Sequence, residues 1–211
     1  MFKQIGIFGG SFDPIHNGHL NLAVELMEAH SLDEVWFIPA ACSPFKQFPT
    51  ATSAQDRLAM TALAIAGETR FRVLDLEINR EGPSYTVDTL KTLVEAQKGQ
   101  ADPCTFALIL GDDTARGFSG WHHPEAIVQL ARLLVGSRGL QKEPFKGSPQ
   151  VIAALEAGMT PTRIMEVSST EIRQRLKEGM YCGHLVPGKV LDYIFSHQLY
   201  LSKREICDKR N

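Results

Sequence analysis

The chain opens with an apolar run of strand length, Gln4-Ile5-Gly6-Ile7-Phe8, which breaks into Gly9-Gly10-Ser11-Phe12-Asp13-Pro14. Leu20, Val24 and Met27 then recur at helical spacing. Strand-type and helix-type patterns alternate from there on. Glu34–Ile38, ended by Pro39, predicts a second strand, and Ser53 an N-cap for a helix carrying Leu58, Ala62 and Ile65 and closed by Gly67. Phe71–Ile78 predicts a third strand. Ser84 then caps a helix with Val87, Leu90 and Val94 on one face, followed by Gly99.

Thr105–Leu110 is the strongest buried-strand signal and ends at Gly111-Asp112-Asp113. His123–Leu130 predicts a helix and Leu133–Val135 a strand; 136–150, rich in Gly, Pro, Ser and Lys, reads as a loop. Arg163–Val167 predicts the last strand. It feeds Ser168-Ser169-Thr170, which can cap a helix through Leu176, and Pro187 opens a final helix with Val190, Leu191, Ile194 and Phe195. Such alternation predicts an α/β fold: a single Rossmann-like doubly wound domain over residues 1–201, with a mostly parallel sheet flanked by helices. The charged tail 202–211 has little to bury and is expected to fray.

A formal net charge of −2 predicts no global pull toward nucleic acid or an anionic membrane, so phosphate binding must come from local groups. No stretch approaches the roughly twenty apolar residues that span a bilayer. Cys42, Cys104, Cys182 and Cys207 are scattered without a CxxC pair, which suggests reduced thiols in a cytoplasmic protein, with Cys104 a small core residue.

In a doubly wound sheet, ligands collect beyond the carboxyl ends of the strands. Three polar clusters fall at such ends: Gly9 to His19, Gly111-Asp112-Asp113, and Ser168-Ser169-Thr170. A strand feeding a Gly-rich turn into a helix presents backbone N–H groups to a phosphate. His16 and His19 sit where that phosphate would lie, and Gly18 between them leaves room for a close approach. The pair could also ligate a metal, but no Cys or carboxylate stands at a spacing that would complete a zinc site, so no protein-held metal is expected. Walker A and GxGxxG sequences are absent.

Gly9, Gly10, Phe12, Asp13, Pro14, His16, Gly18 and His19 together resemble the GxFDPxHxGH signature of the nucleotidylyltransferase superfamily, and Ser168-Ser169-Thr170-Glu171-Ile172-Arg173 resembles its SSTxIR signature. Ser84-Tyr85-Thr86-Val87-Asp88-Thr89-Leu90 is similar to the SYTxDTL segment of the bacterial nicotinate mononucleotide adenylyltransferases. Gly111-Asp112 with Phe118 and Trp121 is similar to their GxDxxxxFxxW segment; Arg57, Arg80, Val186-Pro187 and Tyr193-Ile194 also fit. The resemblance implies transfer of AMP from ATP to nicotinate mononucleotide, with Mg²⁺ carried by ATP. His16 and His19 would be catalytic. Gly9, Gly10, Ser11, Phe12, Gly18, Gly111, Asp112, Ser168, Ser169, Thr170 and Arg173 would hold ATP. Lys46, Ser84, Tyr85, Thr86 and Trp121 would meet the second substrate. Position 45 holds Phe where the family has a histidine.

Such chemistry needs positioning and charge neutralisation more than acid–base help, because a phosphate monoester is ionised near neutral pH. Neither nucleic acid nor membrane is an implied partner, and homo-oligomer formation is left open. Phosphopantetheine adenylyltransferases share both signatures but lack the SYTxDTL helix; a non-catalytic sensor would have no need of the paired histidines. Tyr85 and Thr86 could also be ordinary first-turn residues, and Trp121 a packing residue.

Overall fold

Six parallel strands form one sheet in the order β3-β2-β1-β4-β5-β6 in a computed structural model, which describes residues 2–41, 51–137, 143–163 and 165–202. The strands are β1 Lys3–Gly10, β2 Glu34–Pro39, β3 Phe71–Val73, β4 Cys104–Gly111, β5 Arg132–Ser137 and β6 Met159–Pro161. Every neighbouring pair is parallel, from Ile5 beside Glu34 to Ser137 beside Pro161. This order reverses direction between β1 and β4, the place where an α/β sheet opens a crevice.

Period-two alternation sorts the strand residues into two cores. Ile5 and Ile7 of β1 join Phe106, Leu108 and Leu110 of β4 on one face, whereas Phe8, Ala107 and Ile109 belong to the other. Each face needs helices, since burying a Leu or Ile side chain contributes about 1.5–3 kcal/mol only when it is covered. Helices α1 (Asn17–Ala29), α2 (Ala54–Ile65), α7 (Ser169–Lys177) and α8 (Gly188–Ser196) cover the Phe8 face through Leu26, Met60, Ile172 and Ile194. Helices α3 (Thr86–Ala96), α5 (Pro124–Leu130) and α6 (Pro149–Gly158) cover the other through Leu90, Ile127 and Leu155. The α/β, doubly wound expectation holds.

Several local expectations are corrected. The third strand stops at Val73; Leu74 N–H still reaches Phe37 O at 2.9 Å, and the chain then turns, with Asn79 N–H donating to Asp75 O. Tyr85, not Ser84, is the N-cap of α3, because the Ser84 hydroxyl is engaged as acceptor of the Ala41 N–H at 3.1 Å. Helix α2 is rotated so that Arg57, Met60, Thr61 and Ile65 are buried rather than Leu58 and Ala62. The last strand is Met159–Pro161, not Arg163–Val167; its ladder ends where Thr162 N–H meets Ser137 O.

Pattern reading missed α6, which begins at Ser148-Pro149 inside the expected loop, and the short helix α4 (Asp112–Arg116). Ser53 does cap α2, accepting from Asp56 N–H, and Ser168 caps α7, accepting from Glu171 N–H. Cys104 is only half-buried, and Cys182 is the thiol that lies in the core. No described helix is long and apolar enough to cross a membrane. Residues 42–50, 138–142 and 203–211, and with them Lys46, Phe45, Cys42, Cys207 and nearly all of the charged tail, lie outside the described residues.

Candidate active site

Two clefts open over the carboxyl ends of β1 and β4. The first, about 370 Å³, is lined by Gly9, Gly10, Ser11, Phe12, His16, Gly18 and His19, by Gly111 and Asp112, and by Ser169. The second, about 430 Å³, holds Ser84, Thr86 and Trp121, and shares Gly9, Gly10, Ser11 and Gly111 with the first. Both volumes lie in the range of small-molecule sites. The three polar clusters that are far apart in sequence therefore meet at one place.

His16 ends the β1–α1 turn in extended conformation (φ −148°, ψ 170°) and His19 lies in the first turn of α1. Their rings stack with centroids 3.7 Å apart. His19 Nδ1 accepts the His16 backbone N–H at 3.2 Å, which leaves the proton of a neutral His19 on Nε2. Phe12 meets the His19 ring edge-on at 5.1 Å. Burial lowers His16 to a pKa of about 4, and burial with the neighbouring His16 lowers His19 well below 6.5. At neutral pH the pair is thus two uncharged donors rather than two cations.

Gly18 lines the first cleft and also has a packing task. A Cβ there would sit 3.1 Å from His16 Nδ1, so the missing side chain makes room for the stacked ring. At Gly9 a Cβ would meet nothing within 4 Å, and the bare backbone faces the shared rim of the two clefts.

The turn itself is clamped from outside. Asp13, 2% exposed, accepts from Ala51 N–H, Thr52 Oγ1 and Tyr200 OH at 2.7–2.8 Å. Arg173 donates to the Asp13 carbonyl at 2.7 Å and to Thr170 Oγ1 at 3.1 Å, and Ser169 Oγ donates to the Pro14 carbonyl. Arg57, fully buried, donates to Ser11 O at 2.7 Å and Ala41 O at 3.2 Å. Of the second signature, Ser169 lines the first cleft, Ser168 caps α7, and Arg173 and Thr170 brace the turn rather than face the cavity.

On the other side, Tyr85 packs against His122 with ring centroids 4.3 Å apart and is not in the cleft wall, whereas its neighbours Ser84 and Thr86 are. Trp121 is half-buried against Phe118, 5.0 Å between centroids, and also lines the second cleft. It is both a packing residue and a cleft residue.

Sequence reasoning passed over several lining residues. Thr114 borders both clefts beside the expected Asp113, Arg163 and Thr162 stand at the first, and the buried Glu77 at the second. Arg163, paired with Glu25 at 3.4 Å, lies beyond the last strand rather than at the start of one. Among the described residues no group of three or more His, Cys, Asp or Glu is gathered to hold a metal ion.

Residues 7–175 match the cytidylyltransferase-like family. The chain belongs to that family. Relatives include a protein of Salinibacter ruber, 39% identical over 93% of this chain and 97% of its own length, and one of Geobacillus kaustophilus, 36% identical over 98% and 90%. Both are named probable nicotinate-nucleotide adenylyltransferase. Among solved structures, the Plasmodium falciparum nicotinic acid mononucleotide adenylyltransferase complexed with NaAD superposes with a TM-score of 0.72 at 24% identity, covering 94% of this chain and 97% of that one. At that identity the likeness concerns the fold.

Proposed function

We propose that this protein is an adenylyltransferase that joins the AMP moiety of ATP to nicotinate mononucleotide, releasing pyrophosphate and giving nicotinate adenine dinucleotide. The observation that carries this reading is the pair of clefts meeting on one rim, Gly9 to Ser11, at the switch point of the sheet. Two substrates bound side by side there would have their reacting phosphates adjacent. The names of relatives 36–39% identical over nearly the whole chain support the same activity.

In this reading the triphosphate of ATP lies in the first cleft, with the β1–α1 turn and Ser169 around its phosphates and Gly111 and Asp112 beside the nucleoside. Lys46 is assigned to phosphate from the resemblance alone. Mg²⁺ enters with the triphosphate as part of the substrate. The pyridine mononucleotide lies in the second cleft against Trp121 and the start of α3.

A 5′-phosphate oxygen of nicotinate mononucleotide attacks the α-phosphorus of ATP. The new P–O bond forms as the bond to the α,β-bridging oxygen breaks, and that electron pair leaves on pyrophosphate. No proton needs removing, because the attacking phosphate is already ionised at neutral pH. His16 and His19 therefore act as preorganised donors to the α-phosphate oxygens, where charge shifts in the transition state. Neutral rings suit this work. They are held by stacking and by the His16 N–H bond, so little reorganisation accompanies the reaction.

Pyrophosphate release measured with ATP and, in turn, nicotinate mononucleotide, nicotinamide mononucleotide and 4′-phosphopantetheine tests the proposal. Turnover greatest with nicotinate mononucleotide is the expected result. Turnover confined to phosphopantetheine, or to none of the three, overturns it.

A further inference from the structure

Glu77 is a buried carboxyl that the proposed chemistry leaves unused, although it lines the second cleft. It sits in the turn after β3 and accepts a hydrogen bond from Thr89 Oγ1 at 2.7 Å; Arg80 donates to the same hydroxyl at 3.1 Å. Ser84, whose Oγ accepts from Ala41 N–H at the exit of β2, is buried in the same corner of the cleft. Ser84 precedes the N-cap Tyr85, and Thr89 lies one turn into α3. The carboxyl thus holds the first turn of α3 from the turn that precedes it. Thr86, the first helical residue, is part of the cleft wall and lies one turn before Thr89.

We infer that Glu77 is the positioning residue for the pyridine-nucleotide cleft: through Thr89 it fixes the angle at which the first-turn N–H groups of α3 face the second substrate. This rests on the function proposed above. A helix start offers directional donors, and their value to an anion depends on where they point. Glu77, Ser84 and Thr89 are each less than 10% exposed, so the Glu77–Thr89 bond is shielded from water. Charge is managed locally. Burial raises the Glu77 pKa and Arg80 opposes that shift, so the carboxyl does not stand as an isolated anion beside an anionic substrate.

The test is a comparison of steady-state constants for Glu77→Ala, Glu77→Gln and Thr89→Val. Glu77→Ala should raise KM for nicotinate mononucleotide at least tenfold and leave KM for ATP within about twofold. Glu77→Gln keeps an acceptor oxygen and should restore most of the loss. Thr89→Val removes the bond from the other side and should reproduce the same split, which keeps the test open if the alanine variant does not fold. An unchanged KM for the pyridine nucleotide, or both KM values rising together with a lowered Tm, overturns the inference. Wild-type enzyme without turnover on nicotinate mononucleotide would instead overturn the functional reading on which it stands.

Discussion

The phenol of Tyr200 donates to Asp13 Oδ1 at 2.7 Å, joining two residues 187 positions apart in the chain. Burial, together with the bond to Asp13, raises the Tyr200 pKa, so the phenol remains a donor throughout the working pH range. The same carboxyl oxygen accepts from Thr52 Oγ1 and the other from Ala51 N–H. The turn at 198–200 thereby holds the turn that carries the histidines. Tyr200→Phe keeps the ring and removes one donor from a buried carboxyl, a change worth about 1.5–3 kcal/mol. Urea denaturation should show that loss with an unchanged m-value. An undiminished midpoint would mean that the bond contributes nothing net.

His19→Ala should lower kcat by about 10²–10³, the usual cost of one preorganised donor to a developing charge. KM for ATP should change little, because the contact strengthens only as the α-phosphate reacts. Steady-state kinetics separates the two constants. Near-normal kcat would make the His16–His19 stack a packing feature and nothing more.

Stability should fall in mild acid because of the same pair. His16 titrates at about 4 in the folded protein and at about 6.5 in a free chain. Between those values the unfolded chain binds a proton that the folded one refuses, so stability rises with pH across this window and is lost as pH falls through it. For His16 the full effect is roughly 3 kcal/mol, and His19 acts in the same direction. Calorimetry from pH 7.5 to 4.5 should show Tm dropping below pH 6.5. In His16→Gln the slope should flatten; an equally steep curve would assign the acid sensitivity elsewhere.

Trp121→Ala should weaken the pyridine mononucleotide and spare ATP. Base–aromatic stacking is worth about 1–3 kcal/mol, and Trp121 borders the second cleft but not the first. Titration calorimetry with each nucleotide gives the answer. Equal losses for both ligands would show that its contact with Phe118 matters more than any contact with substrate.

Much of this was legible in the chain itself. The apolar runs at Ile5–Phe8 and Phe106–Leu110 marked the strands that define the switch point, and the Gly9–His19 run marked the cleft above them. Local rules also found the caps at Ser53 and Ser168, because a cap is made within three residues. What stayed hidden depends on distant partners. Arg57 looks like any helix-surface arginine until its two carbonyl acceptors, 16 and 46 residues away, are known. Glu77 and Arg163 are common residue types that stand in segments expected to be strands, and the fold alone brings them to the cleft walls. Ser84 misled as a cap because its hydroxyl is engaged across the sheet by Ala41.

Discrimination between nicotinate and nicotinamide should follow from the start of α3. Thr86 and Val87 are its first helical residues, and a helix start presents unpaired N–H donors with a favourable dipole for an anion. A carboxylate can accept with both oxygens, whereas an amide offers one acceptor and turns an NH₂ group toward the remaining donor. Leaving a buried donor unpaired costs about 1–3 kcal/mol, and 1.4 kcal/mol is a factor of ten. Glu77 borders the same cleft, but it is engaged by Thr89 and, as an acceptor, does not replace the donors. Nicotinate mononucleotide should therefore have a kcat/KM at least tenfold above that of the nicotinamide form. Asp88, in the first turn, sets the control: its carboxylate offsets part of the dipole, so Asp88→Asn should widen the preference rather than narrow it. Equal efficiency with the two substrates, in wild type and variant alike, would remove the helix start from the explanation while leaving adenylyl transfer itself intact.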